Sequence, residues 1–509
     1  MTSFQIAAPR TGLLDQALAL TTRHALARQR ADGAWVADPD PRITETALTA
    51  LALDRSPAQR SRDAARRARV WLRSAVPQDH HPAARTVEEV LRAIALGLDA
   101  AETPVNLDVP ALNDPAMASR ARLLQTVALT CAPSATGYDP AALRAALGAA
   151  SSRLERLKSW SRVEVWSAYA LVEEAFGEPE RARWAVKHVA ALQSADGGFH
   201  GNPVTAAIAC LALLTVDPGS RAARRVVGYL VESQFPDGTW RFCSSDVWDT
   251  TLMVRALRDE PAFARDALPA AVAFIRRAQN EDGGWPFRSG VESDNDTTGA
   301  ALLALRGLDA GDASVGAGLR HLAEQQQPDG LWRTWQSAGD PAVQDVNAHV
   351  LAALDAHRDG HGIATKPARD WLRDGFEQGG RWHGSWYRGL PYVVAEVAPA
   401  MAGHGVARAA AEGLAAIQNP DGGWPAESGL ASNPACTGLA LAALEAGGVR
   451  DPGRWRRGLD YLVATQDPDG AWPGIPQMFG PRPLLTHYQS HTQAFAALGL
   501  CAGLRVQGG

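Results

Sequence analysis

A seven-residue pattern returns along this chain and constrains its fold more than any other feature: glutamine, two variable residues, Asp-Gly, one residue, then an aromatic. It reads QRADGAW at Gln29–Trp35, QSADGGF at Gln193–Phe199 and QFPDGTW at Gln234–Trp240. It continues as QNEDGGW at Gln279–Trp285, QQPDGLW at Gln326–Trp332, QNPDGGW at Gln418–Trp424 and QDPDGAW at Gln466–Trp472. A worn copy, EQGGRW, ends at Trp382. From Gly197 onward the Asp-Gly steps are spaced by 41, 45, 47, 92 and 48 residues, and the 92 spans two units with the worn copy between them. A period of this size marks a stack of like supersecondary units that bury their apolar faces on one another.

Each unit reads the same way. A helix ends at the Gln, Asp-Gly makes a tight turn because glycine tolerates positive φ, and the aromatic follows. After a loop comes an apolar run of small residues with helical spacing, such as TTGAALLALRGL from Thr297 or CTGLALAALEAG from Cys436. Two helices per unit predict an all-α fold of α/α barrels, with alanine-rich inner helices packed closely and the Gln and Trp tying neighbouring turns together. The 16 tryptophans, against 11 phenylalanines and 7 tyrosines, are then first a consequence of the repeat. Repeat density suggests the division. Residues 217–509 carry regular units and form one toroid. Residues 25–216 carry units only at their ends and form a second, irregular α-barrel. Residues 1–24 hold an N-terminal helix that packs with the toroid.

The rest of the composition narrows the function. A net charge of −5 without a basic tract interleaved with aromatics argues against nucleic acid. Five scattered cysteines without a CxxC argue for a reducing, cytoplasmic setting. The start, MTSFQIAAPRTGLL, lacks a signal-peptide layout, and no run of 18 apolar residues suggests a transmembrane segment. Oligomeric state is not legible here.

Aligning the units places Asp249 (SDVWDTTLMVRAL), Asp296 (ESDNDTTGAALLAL) and Asp345 (VQDVNAHVLAAL) at equivalent starts of second helices. For Asp249 and Asp345 an N-cap role suffices. Asp296 differs, since Asp294 and Glu292 precede it at two-residue steps. Clustered carboxyls raise a pKa and hold a proton, and a carboxylic acid facing apolar surroundings is what alkene protonation needs. Trp248, Phe287, Trp335, Trp386, Tyr387, Tyr392 and Tyr488 fall at the same end of the toroid. Singly each reads as packing; as a set they suit a chamber that stabilises a cation on aromatic faces.

These residues resemble a known family. QxxDGxW resembles the QW motif of squalene–hopene and oxidosqualene cyclases, and SDVWDTTLM resembles their PVWDT segment. DNDTT at Asp294–Thr298 sits where class II terpene cyclases carry DxDD or DxDDT. RWHGSWYRGLPYVVAEV from Arg381 and LQSADGGFHGNPVTAAIA from Leu192 resemble segments of copalyl diphosphate synthases. The resemblance implies a βγ architecture of two α-barrels with the site between them and the general acid in β. It implies Asp296 as proton donor, Asp294 as its orienting or proton-sharing neighbour, and Thr297 in place of the last acid of DxDD. DxDTT is similar to the pattern of drimenyl diphosphate synthases. The cavity set is then Trp248, Asp249, Phe287, Trp335, Asp345, His383, Trp386, Tyr387 and Tyr488, with His383, Tyr387 or Tyr488 as candidate terminal base. By the same analogy Mg²⁺ is expected on Glu173 or Glu174 in YALVEEAFGE. Arg241, Arg288 and Arg333 follow the repeat tryptophans by one to three residues, and one or more is expected to meet the diphosphate.

The expected reaction is class II cyclisation of farnesyl diphosphate to a bicyclic drimane-type diphosphate. No adjacent Asp pair, and so no DDxxD, is present. A class I site is not expected, and the diphosphate should be retained. The alternatives are a diterpene cyclase making a copalyl- or halimadienyl-type product from geranylgeranyl diphosphate, a prenyltransferase-like subunit with zinc on Cys436 and His487 or His491, and a non-catalytic α/α scaffold.

Overall fold

The computed structural model describes residues 11–97, 105–154, 157–307, 312–335, 340–357 and 362–508. Regular secondary structure among the described residues is helical apart from four two-residue strands. Residues 1–10 of the N-terminal segment lie outside them.

The chain divides into two compact units. Unit 1 is Met1–Asp38, Ser244–Phe479 and His487–Gly509, and unit 2 is Pro39–Cys243 with Gly480–Thr486. The boundaries therefore fall after residues 38 and 243, not at 24/25 and 216/217. The reason lies in the repeat itself. The Trp35 amide donates to Thr250 Oγ1 in unit 1, and the Trp240 amide donates to Thr46 Oγ1 in unit 2. The first repeat turn of unit 1 is thus parted in sequence from its own inner helix by Pro39–Cys243 of unit 2. Cutting the chain at 24/25, inside the first helix, or at 216/217, ahead of the helix Arg221–Glu232, would split such pairs.

In unit 1 six helices form a closed inner ring: Asp246–Leu257, Asn295–Ala304, Gln344–Ala356, Leu390–Ala400, Pro434–Ala446 and Gln489–Gly508, each packed on the next and the last on the first. An outer helix precedes each, and Thr11–Arg28 takes that place for the first, packed also on Pro452–Thr465 and Gln489–Gly508. Unit 2 has a looser ring of Ile43–Asp54, Pro82–Leu96, Ala118–Cys131, Ser159–Ala175 and Pro203–Val216. The inner helices of unit 1 have little amphipathic character because nearly every position is covered; all of Pro434–Leu441 is buried.

The turns show why the repeat has its residues. Gln279 Nε2 donates to Gly283 O of its own turn (2.8 Å) and to Ser314 O at the start of the next outer helix (2.9 Å). Gln326, Gln418 and Gln466 do the same, and Gln466 reaches Ala17 O of the N-terminal helix. Asp282 accepts from Gly284 N within the turn. Gly283 has φ +81°, and a Cβ there would lie 2.7 Å from Ala317 O, so glycine serves both the turn and the close approach. Trp285 Nε1 donates to Ile275 O, ten residues back, satisfying a carbonyl at the end of the preceding helix. Trp332, Trp382, Trp424 and Trp472 repeat that bond.

Small residues set the spacing of the inner ring. A Cβ on Gly299 would lie 2.9 Å from the His349 carbonyl carbon, so the helices Asn295–Ala304 and Gln344–Ala356 touch backbone to backbone. Gly299→Ala should therefore cost about 1–3 kcal/mol and push His349 away from its neighbour. A fall in Tm on thermal melting checks this, and an unchanged Tm would show that the contact is slack.

Candidate active site

Sequence places Asp294 two residues ahead of Asp296; the fold gives them different tasks. Asp294 is the N-cap of Asn295–Ala304, accepting from Thr297 N (2.6 Å), Thr297 Oγ1 (3.0 Å) and Phe287 N (3.0 Å). Both carboxyl oxygens are engaged at the helix start, so Asp294 does not hydrogen-bond Asp296. Burial, then the charge of Asp296, push its carboxyl up to about 8 despite those donors. Thr297 serves this cap. The cap reading applies to Asp294 and not to Asp249 or Asp345, whose side chains accept from other segments.

Asp296, in the first turn of the same helix, is 6 % exposed. Its Oδ1 lies 2.5 Å from Nδ1 of His349, and Nε2 of the same ring lies 2.7 Å from Oε2 of Glu396. Arg255 Nη1 pairs with that Glu396 oxygen. Four residues from four inner helices thus form one line, with Asp296, His349 and Glu396 buried and Arg255 half-buried at its end. Burial pulls the His349 pKa down, but the charges and hydrogen bonds of Asp296 and Glu396 outweigh it and raise it to about 10. Burial raises Glu396, but Arg255 and His349 outweigh it and bring it to about 2. Arg255 and His349 as cations with Glu396 as anion leave one net positive charge beside Asp296. A proton leaving Asp296 neutralises the line, so the framework favours the products of proton donation.

His349, Glu396 and Arg255 are the residues the sequence reading missed. Each sits within a mostly apolar run of an inner helix, in VNAHVLAAL, PYVVAEVAPA and TTLMVRAL. A charge at a position that must be buried is the signal that could have found them.

The Trp amide bonds also correct the alignment of the units. Thr250, Thr298, Asn347 and Thr437 each accept from a repeat Trp N–H, those of Trp35, Trp285, Trp332 and Trp424. In that register Asp296 matches Asp345 and Trp248, whereas Asp249 matches Thr297 and Cys436. Asp345 accepts from Ser385 N (2.7 Å) and Trp386 N (3.2 Å), and burial with the charge of Asp296 raises its pKa. Among the described residues no protein group hydrogen-bonds Asp345 Oδ1, Tyr392 Oη or Trp386 Nε1, all buried atoms. Asp249 is fully engaged, accepting from Ser245 Oγ, Ala37 N, Ser490 Oγ and His491 Nε2.

The aromatic set does gather at this end of unit 1. Trp248 lies 5.8 Å from the His349 ring and donates its indole N–H to Tyr387 Oη (2.8 Å). Tyr387 packs on Tyr392 (4.3 Å) and Phe495 (5.3 Å), and Trp335 meets Trp386 edge-on at 5.3 Å. Phe287 gives its amide to Asp294, and Tyr488 stacks on His491 at 4.5 Å.

Other candidates depart from expectation. His383 is exposed, its amide bonding Gln344 Oε1, because it directly follows the buried Trp382. Arg241 and Arg333 pair with Asp237 and Asp329 of their own turns, and Arg288 is half-buried in the loop after Trp285. Cys436 Sγ accepts from Gln477 Nε2, His487 lies beside Thr492, and His491 bonds Asp249, so these three do not converge on a zinc. Glu173 does not fit Mg²⁺ either. Both its oxygens are taken by Arg144 (3.0 and 2.7 Å), and Arg181 lies 4.0 Å away. Glu174, half-buried beside it, offers one carboxyl. No cluster of three or more His, Cys, Asp or Glu among the described residues could hold a metal ion.

Comparison with known proteins settles the family. The profile of the squalene-hopene cyclase C-terminal domain matches residues 200–339 and 335–503. The chain belongs to that family. This places it among the class II terpene cyclases. It is 32% identical to a drimenyl diphosphate synthase of Streptantibioticus cattleyicolor, over 59% of this chain and 62% of that protein. It is 30% identical to another of Streptomyces showdoensis, over 62% of this chain and 54% of that one. The chain thus spans less than two thirds of the length of these curated relatives. The fold is shared with the ent-copalyl diphosphate synthase from Streptomyces platensis, at a TM-score of 0.64 and 20% identity over 99% of this chain and 100% of that one. No helix among the described residues of this cyclase-family chain is long and apolar enough to cross a membrane.

The charge on His349 makes a measurable prediction. A histidine whose pKa is raised from 6.5 to about 10 by folding contributes stability that is complete below pH 6.5 and is lost as pH rises through about 10. The Tm difference between wild type and His349→Gln should be widest near pH 6 and close towards pH 10 in melts followed by circular dichroism. A gap independent of pH would mean that the imidazole is neutral in the fold.

Proposed function

We propose that this protein is a protonation-initiated cyclase of farnesyl diphosphate that releases a bicyclic drimane-type diphosphate with the phosphates intact. One observation carries the reading: a buried carboxyl, Asp296, bonded to His349, whose other ring nitrogen meets Glu396, itself paired with Arg255. An isolated alkene is a very weak base, so its protonation needs an acid whose conjugate base is stabilised in advance. In this reading Asp296 gives its proton to the distal double bond. The π electrons form the new C–H bond, and a tertiary cation results. Two ring closures carry the charge inward past Trp248, Phe287, Trp386, Tyr387 and Tyr392, whose faces attract a cation without offering a strong nucleophile. Loss of a proton makes the final double bond.

The C15 substrate is supported by the two relatives named for drimenyl diphosphate and by Thr297 following Asp296. Geranylgeranyl diphosphate is the competing chain length. A non-catalytic scaffold would have no reason to bury His349, Glu396 and Asp296 together beside Arg255, since apolar residues of like size are commonly as stable or more so. The five free cysteines fit a reducing, cytoplasmic setting.

Incubation of the purified protein with C10, C15 and C20 prenyl diphosphates and with squalene, then phosphatase and mass spectrometry, tests the reading. Farnesyl diphosphate should give a bicyclic alcohol after dephosphorylation, and a product from the C20 substrate alone would replace it with the diterpene reading. Asp296→Asn should lower turnover by at least about 10³-fold with an unchanged melting curve, and full activity in that variant would remove Asp296 as the acid.

A further inference from the structure

The mechanism above leaves a second buried polar line unused. Tyr387 Oη lies 2.9 Å from His491 Nδ1, and His491 Nε2 lies 2.8 Å from Asp249 Oδ1. All three residues are 5 % exposed or less. The protons in this line can be placed by counting donors. Asp249 accepts from two serine hydroxyls, one backbone amide and the imidazole, the environment of a carboxylate. His491 therefore donates its Nε2–H to Asp249. Trp248 donates to the Tyr387 oxygen, and among the described residues His491 Nδ1 is the acceptor on hand for the phenol hydrogen, which places a lone pair at Nδ1. The arrangement is a phenol backed by a neutral imidazole backed by a carboxylate, the set that turns a weak acceptor into a general base.

The two histidines of the site are set oppositely. His349 stands between two carboxyl groups and is held as a cation. His491 stands between one carboxylate and a phenol, with a site left to protonate. Trp248 joins the lines, its ring 5.8 Å from His349 and its N–H on Tyr387. Tyr488 stacked on His491 and Phe495 edge-on to Tyr387 hold both rings in place.

Resting on the cyclase reading, we infer that Tyr387, backed by His491 and Asp249, is the base that ends the reaction. The C–H bond next to the last cationic carbon breaks, and its electron pair becomes the product double bond. The proton passes to Tyr387 Oη as the phenol proton moves to His491 Nδ1, and Asp249 stabilises the imidazolium. The proton lost by Asp296 thus balances the one gained by His491, and both groups reset by exchange with water between turnovers. Tyr387 is the catalytic residue; His491 and Asp249 position and charge it.

The test is the product ratio from farnesyl and geranylgeranyl diphosphates for wild type, Tyr387→Phe, His491→Gln and Asp249→Asn. With the acid line intact, the variants should still consume substrate, at a reduced rate. The cation should instead end by capturing water or losing a different proton, so the wild-type alkene falls at least tenfold relative to hydroxylated or isomeric products. Ratios do not depend on the folded fraction, so a destabilised variant still reports. Wild-type product alone from Tyr387→Phe and His491→Gln would overturn the inference. So would complete loss of substrate consumption in Tyr387→Phe, which would assign the phenol to initiation. A wild-type protein that cyclises neither substrate would overturn the parent reading and the base with it, whereas wild-type cyclisation with unchanged variant products would sink the base alone.

Discussion

An amide group has two hydrogens, and the repeat glutamines of this protein use both. One closes the Asp-Gly turn and the other reaches the first turn of the next outer helix. Because the donor is a single nitrogen, the turn and the neighbouring helix cannot move apart without losing a hydrogen bond. The same clamp links Gln466 to Ala17 and Gln29 to Ala267, so the N-terminal helix closes the outer ring between its last and first members. Everything else in unit 1 depends on that closure. It fixes the pitch at which inner helices stand side by side, and it directs their N-terminal turns to one end of the barrel.

That end is where the chemistry gathers. Inner helices have few exposed positions, so a polar residue on one of them must find its partner on another inner helix. Asp296, His349, Glu396 and Arg255 do so in one line, and Asp249, His491 and Tyr387 in a second. Each line is tolerable only because every charge faces its opposite or a donor; an unmatched member would be strongly destabilising. In the proposed cycle the first line has an excess positive charge that a departing proton cancels, and the second has a lone pair that an arriving proton fills. A closed ring of rigid helices keeps the two settings distinct over a short distance, with Trp248 between them.

Family membership and geometry bear on different parts of this picture. The family profile covers the part of the chain that holds both lines. The shared fold with ent-copalyl diphosphate synthase extends over nearly the whole chain. Neither specifies a substrate. The metal expectation is weakened by geometry alone, since Glu173 is already neutralised by Arg144. Likewise Arg241 and Arg333 stabilise their own turns.

What the sequence by itself determined was local and periodic. Turn chemistry, helix pairing, the all-α fold and the end of the barrel at which Asp296 sits follow from residues within one repeat, because a turn and its flanking helices are specified by neighbours in the chain. Asp296, the proposed acid, could be singled out because its motif is contiguous. Tertiary structure decided which groups contact it. Asp294, adjacent in sequence, turned out to cap the helix, while His349 and Glu396, far along the chain, hold the contacts that set its chemistry. Domain limits were also decided in space, by Trp35 pairing with Thr250 and Trp240 with Thr46. Buried electrostatics depends on distances between side chains from different helices, and those distances exist only once the ring has closed.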